Sequence, residues 1–192
     1  DYLASELLRT GSTRHIHRLI VQSSTYRQSF ASHAENGKRD PENRYLWRWS
    51  VRRLEAEAIR DSMLAVAGEL DEKVGGPSVT DADSRRRSLY LFQKRDAPPL
   101  HQALFDGPIG MTESCAQRQT TTVPLQPLYL LNSEFSVQRS RALAARASAA
   151  AGAGQGRQGA EVYPIALGRS PDARGRAPAE RFFERVSANS EA

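Results

Sequence analysis

Apolar residues recur at helical spacing along residues 52–70, Arg-Arg-Leu-Glu-Ala-Glu-Ala-Ile-Arg-Asp-Ser-Met-Leu-Ala-Val-Ala-Gly-Glu-Leu, where Ile59, Met63, Val66 and Leu70 share one face at a 4-3-4 interval. Two shorter helices precede it. Asp1 can cap the first, which ends at Gly11; Ser12 or Thr13 can cap the second, which runs to about Gln28 with Ile16, Leu19 and Ile20 facing inward. The tight link between them predicts antiparallel packing. Further on, Ser133 and Glu134 open a helix from Phe135 to about Ala149, with Arg139, Arg141 and Arg146 toward water and Val137, Leu143 and Ala144 inward. A last amphipathic helix is expected from Pro178 to about Ser187.

The segments between these helices carry turn chemistry. Residues 29–43 are polar, contain Asn36-Gly37 and Asp40-Pro41, and read as a surface loop, after which Tyr45, Leu46, Trp47 and Trp49 return to the core. Gly75-Gly76-Pro77 is a hard stop for the long helix, because proline cannot extend one. Ser88–Gln93 reads as extended, residues 96–127 as irregular with one short helix at Leu100–Phe105, and Leu128, Leu130 and Leu131 as core. Gly-rich residues 150–160 read as a flexible linker before a short apolar segment at Val162–Leu167.

The expected fold class is therefore mainly α: an irregular helical domain with long Pro/Gly-rich connections and at most one or two short strands. Residues 1–192 are expected to form a single domain fragment, with an N-terminal helical half at 1–74, an extended segment plus helix at 85–149, the linker at 150–160 and C-terminal helices at 161–190. Its core should centre on Leu19, Ile20, Leu54, Ile59, Met63, Val66 and Leu131.

At 192 residues the chain is long enough to bury roughly 70% of its unfolded surface, so no metal or disulfide staple is required. Its net charge of +5 is almost wholly arginine: only Lys38, Lys73 and Lys94 are lysines among 27 basic residues. Apart from Arg85–Arg87 these cations alternate with Asp and Glu, a pattern that argues against a nucleic-acid partner. The single Cys115 excludes an internal disulfide, and no adjacent His activates it, so a small buried hydrophobe is expected there. No apolar run approaches the 18 or so residues of a membrane span, and no signal-like segment is present, as expected of a fragment of a longer protein.

Candidate chemistry is sparse. Gly154-Gln-Gly156-Arg-Gln-Gly159 has the spelling of a dinucleotide loop, but an Ala-rich helix precedes it where that loop needs a strand. Glu57 and Asp61 lie one helical turn apart and could share a proton or hold a cation, yet Arg53 and Arg60 sit at ion-pairing intervals beside them. His15 and His17 point to different sides of their helix, so they cannot chelate one metal together. Trp47 and Trp49 suit core or subunit contacts better than ligand stacking. The residues thus assign no catalytic group; Glu57, Asp61, His17 and Arg60 are the candidates, and no metal-binding or cofactor-binding residue is expected.

Several strings in order carry a family resemblance: His17-Arg-Leu-Ile20 with Ser24-Thr-Tyr-Arg27-Gln-Ser29, Asp40-Pro-Glu-Asn-Arg44, Arg53-Leu-Glu-Ala-Glu-Ala-Ile-Arg-Asp61, Gly75-Gly-Pro-Ser-Val79, Arg86-Arg-Ser-Leu-Tyr90, and Thr121-Thr-Val-Pro-Leu-Gln126 with Leu130-Leu-Asn132. From about Asp1 to Gly168 the chain resembles the planctomycete PSD domain, a domain of unknown function. The resemblance implies the C-terminal part of a large exported, periplasmic or extracytoplasmic protein with upstream cytochrome c-like haem and further domains as partners. It implies haem only in such an upstream domain, and supplies no catalytic residues. Two departures stand out: only about six residues separate Val79 from Arg86 where a longer insert is the pattern, and Pro164 interrupts a segment that otherwise reads as unbroken helix. The expected role is a non-catalytic interaction or structural module. The competing one is an extracytoplasmic enzyme of polysaccharide or redox metabolism, with an acidic, His and Arg pocket.

Overall fold

The computed structural model describes residues 1–94, 97–107, 120–151, 155–172, 175–179, 181–182 and 185. Among them the fold is mainly helical: α1 (Tyr2–Thr10), α2 (Thr13–Gln22), α3 (Ala34–Arg39), α4 (Ala56–Ala67), a 3-10 turn at Ser88–Tyr90, α5 (Leu100–Leu104), α6 (Leu125–Asn132), α7 (Glu134–Ala151) and α8 (Gln155–Leu167). Extended pairing among these residues is limited to isolated parallel bridges between Asp71 and Arg86 and between Val79 and Leu91. The chain divides into two compact units, Asp1–Arg53 and Leu54–Ala192. Cys115 lies outside the described residues; of the helix expected from Pro178 to about Ser187, residues 178, 179, 181, 182 and 185 are described and are helical.

In the first unit, α1 ends and α2 begins at the expected caps, while the Asp1 side chain makes no capping hydrogen bond. Gly11 takes the left-handed conformation (φ 61°) that an L side chain resists, and donates its N–H to the Leu7 carbonyl; Ser12 accepts from the His15 N–H. Glu6 then ties α1 to α2, lying 2.7 Å from Arg9 and 2.9 Å from His15 Nε2. The hydrogen bond from Arg9, more than any other influence, holds the Glu6 carboxyl down at about 2. Helix α2 stops at Gln22, short of Gln28, because Ser23 turns extended and uses its hydroxyl on the Ile20 carbonyl and the Tyr26 N–H.

Residues 29–43, expected as loop, contain α3, capped by His33. Asp40 and Asn43 behind it are the only buried residues of this unit, and both serve the backbone. The Asp40 carboxylate accepts the N–H groups of Arg44 and Tyr45, and its carbonyl accepts Trp47 Nε1–H at 2.9 Å. Asn43, in the left-handed region at φ 57°, donates to the Arg48 carbonyl and accepts from the Arg48 N–H. The aromatic run does not form a core: Tyr45 is 87% exposed, Leu46 and Trp49 are also exposed, and Trp47 is half-buried. Ile20 is exposed too, and Leu19 half-buried. This unit is organised by polar knots.

In the second unit, α4 is shorter than 52–70 and turned by one residue from the expected face. Its buried positions are Ala56, Arg60, Leu64 and Ala67, whereas Ile59, Met63, Val66 and Leu70 are half-buried and Leu54 is exposed. Helix α7 packs against α4, α6 and α8 and buries Ser136, Arg139 and Ala147. Of the three arginines expected in water, Arg139 is buried and lies 2.7 Å from Glu69, while Arg141 is exposed. Arg146 is exposed but caps α4, donating to the carbonyls of Ala65 and Val66, where the C-terminal end of the helix dipole favours a cation. Val137 and Ala144 are exposed instead of inward, as are Leu128, Leu130 and Leu131 on α6, whose buried residue is Gln126.

The Ser88–Gln93 segment begins as a 3-10 turn and then pairs briefly, with Val79 and Phe92 each donating an N–H across the bridge. Helix α8 runs through both features expected to prevent it. Residues 155–160 of the Gly-rich stretch are helical, with Gly159 buried, and Pro164 sits inside the helix, at the loss of one backbone hydrogen bond. Gly168 (φ 63°) closes it by donating to the Pro164 carbonyl.

The shifted face of α4 sets a stability test. Leu64→Ala is expected to cost about 2–5 kcal/mol, while Leu131→Ala on the exposed face of α6 stays within roughly 0.5 kcal/mol. Chemical denaturation of the two variants distinguishes this packing from the one in which Leu131 is core.

Candidate functional site

The second unit gathers its polar chemistry around α4. Arg60 is 3% exposed, and its guanidinium donates to the carbonyls of Ala82 (3.1 Å), Ser84 and Arg86 (2.9 Å) and to the Ser88 hydroxyl (3.3 Å). One residue later, the Asp61 carboxylate accepts both the N–H and the hydroxyl of Ser88 at 2.7 Å. It also lies 3.7 Å from Arg60 and 3.8 Å from Arg87. The Phe135 ring carries two cations near it, Arg60 at 5.3 Å and Arg139 at 4.9 Å from its centroid.

A cavity of about 160 Å³ opens beside this cluster. Its walls include Ile59, Arg60 and Met63 of α4, Ala82 and Asp83 of the clamped loop, His101 of α5, Phe105, Tyr129 and Phe135. Phe105 and Tyr129 meet edge to face with centroids 6.1 Å apart. His101 is 8% exposed, and its Nε2 is buried without a hydrogen-bond partner; so is the Nε of Arg60. Burial, and then the positive charge of Arg60, push His101 from the ordinary 6.5 down to about 4, against the opposing fields of Glu57 and Asp61. The imidazole is thus neutral at pH 7. Burial also lowers Arg60, with Asp61 and Asp83 opposing, and raises Tyr129.

Of the four candidates read from sequence, Arg60 and Asp61 come together, and Glu57 acts on the same His101 from one turn earlier on α4. His17 lies exposed on α2 in the first unit. The dinucleotide spelling falls partly on α8, so Gly156 and Gly159 are helical residues where a phosphate cradle needs a loop. Among the described residues, no group of three His, Cys, Asp or Glu gathers to hold a metal ion. His101, Phe105, Tyr129 and Phe135 were not legible as a site: they come from three separate segments, and the only local cue is a helix opening after Pro99.

The class defined by this architecture is a helical domain whose loops are clamped by buried arginine. The match to known families is more specific: residues 1–183 match the PSD1 family, described as "Protein of unknown function (DUF1553)". The chain belongs to that family. No curated protein and no solved structure matches it. Among the described residues no helix is long and apolar enough to cross a membrane.

The His101 environment makes stability depend on pH. Between about 4 and 6.5 the unfolded chain binds a proton that folded His101 refuses, so stability falls as pH is lowered through that window. Glu6 acts in a separate window, its contribution being present above 4.5 and lost as pH falls toward about 2. Denaturation at pH 7 and pH 4.5 is expected to show wild type losing about 2 kcal/mol more than His101→Phe. Equal losses would mean that His101 titrates normally.

Proposed function

We propose that this chain is a non-catalytic interaction module of a larger exported polypeptide, working beside cytochrome c-like haem domains of the same chain. The observation that carries the non-catalytic reading is the engagement of Arg60 and Asp61. Their donors and acceptors are directed at backbone groups of residues 82–88 and at Ser88, where they hold a loop instead of meeting a substrate. The enzyme reading needs an acid, a base or an anion clamp free to act, and these two residues are committed elsewhere. Export and the haem-bearing neighbours rest on the resemblance to planctomycete PSD domains.

A contact surface is supported by α6, where Leu125, Leu128 and Leu131 are 59%, 52% and 73% exposed at three-residue spacing. The occupant we assign is a neighbouring domain of the same polypeptide. Hydrogen exchange on the intact polypeptide tests this: Leu128→Glu with Leu131→Glu is expected to speed exchange across 125–132 by roughly tenfold or more as the cover is lost. Unchanged exchange there would overturn the contact, and recovery of the polypeptide from the cytoplasm in cell fractionation would overturn export.

A further inference from the structure

We infer that the first unit binds an anionic saccharide, seating one acidic sugar in a surface pocket within residues 25–52. Charge points to that unit. Ten of the 27 Lys and Arg residues and five of the 22 Asp and Glu residues fall within Asp1–Arg53, so the net charge of +5 belongs to it and the rest of the chain is neutral. Three of the five acids are engaged: Glu6 with Arg9 and His15, Glu35 with Lys38, and Asp40 with the backbone N–H groups of Arg44 and Tyr45. The excess is arginine, whose planar fork grips a carboxylate or sulfate at two oxygens where lysine offers a point charge.

The pocket has a volume of about 260 Å³, and its walls include Thr25, Leu46, Arg48, Trp49, Ser50 and Arg52. Two of these are cations, and none of its described walls is acidic. Arg52 is exposed and has no ion-pair partner among the described residues, so its guanidinium is free to meet an anion. Thr25 and Ser50 add hydroxyls, while Trp49 and the 53% exposed Leu46 add apolar surface. An acidic sugar needs these three kinds of contact, for its anionic group, its hydroxyls and the C–H faces of its ring. Leu46 is held there under strain. Its φ of 55° is left-handed, rare for a bulky side chain, and little burial compensates it. Asn43 imposes the turn from behind, accepting the Leu46 N–H at its carbonyl and tying both backbone groups of Arg48 and the Ser50 hydroxyl with its side chain.

A single-stranded nucleic acid suits this pocket less well, because its bases need open ring faces to stack on. Trp49 already meets Tyr26 edge to face with centroids 5.4 Å apart, and Arg48 lies over the neighbouring Trp47 at 4.9 Å. The inference is independent of the contact surface proposed above, which lies on α6 in the second unit.

The test is an NMR titration of the 192-residue chain with trigalacturonate, a sulfated galactose trisaccharide, the neutral galactose trisaccharide and a thymidine pentanucleotide. At least one acidic trisaccharide is expected to bind saturably, to shift the Leu46 methyl and Trp49 indole N–H signals, and to bind roughly tenfold or more tightly than the neutral one. Which of the two binds better identifies the anionic group as carboxylate or sulfate. Arg52→Ala, which removes an exposed side chain, is expected to weaken that binding by about tenfold. Leu46→Gly, which relieves the left-handed strain, is expected to stay folded and to bind severalfold more weakly. The proposal is overturned if neither acidic trisaccharide binds saturably, if the neutral one binds as tightly, if the pentanucleotide binds tighter than both, or if Arg52→Ala and Leu46→Gly bind like wild type.

Discussion

The second unit depends on one buried guanidinium. Arg60 occupies a position on α4 that an aliphatic side chain would ordinarily fill, and from it reaches three backbone carbonyls and a hydroxyl within residues 82–88. Those carbonyls sit in a segment with almost no ladder of its own, where each unpaired group would carry a cost in burial. An arginine is the one side chain that presents enough donors in a fixed fork to serve such a loop. The desolvation of its charge is offset by Asp61 and Asp83 and by the face of Phe135.

The strings that carry the family resemblance interlock in the same way. Arg86 donates to the carbonyls of Lys73, Gly75 and Pro77 and lies 4.0 Å from the centroid of the Tyr90 ring, while the Tyr90 hydroxyl accepts from the Gly75 N–H. Gly75–Val79 and Arg86–Tyr90 are therefore two halves of one substructure. Thr121 and Gln126 of a third string do likewise, binding the Asp106 carboxylate and the Leu104 carbonyl. Asp40–Arg44 is closed on itself by Asp40 and Asn43. The polar residues of these strings build a scaffold, and the short span between Val79 and Arg86 is filled by the very loop that Arg60 holds.

Helix ends were legible in the sequence where the expected cap forms, as at Gly11 and Ser12, whereas Gly68, which closes α4, was read as part of the helix. The direction in which α4 faces was not. A hydrophobic period places Ile59, Met63 and Val66 inward because it counts arginine as solvent-seeking, yet the buried line runs one residue later through Arg60 and Leu64. The same rule misplaces Arg139. Local breakers misled at α8, where tertiary packing against α7 outweighs Gly156, Gly159 and Pro164. Tyr163 reinforces that outcome by donating to the Gly175 carbonyl; a Cβ on Gly175 would come within 2.8 Å of the Tyr163 hydroxyl, so glycine is what permits the approach. Of the cavity, only the α4 side was foreseeable, because Phe105, Tyr129 and Phe135 gain meaning only once α5, α6 and α7 assemble.

The scaffold and the cavity then have a common origin. By fixing residues 82–88 to α4, Arg60 places Ala82 and Asp83 as one wall opposite the aromatic cluster, and by its charge it helps to keep His101 neutral. A structural cation thereby borders a cavity with an uncharged imidazole in its wall. Removing the clamp would not merely loosen a loop. It would open one wall of the cavity to water and relax the field on His101, so the cavity is built on the same residue that holds the loop.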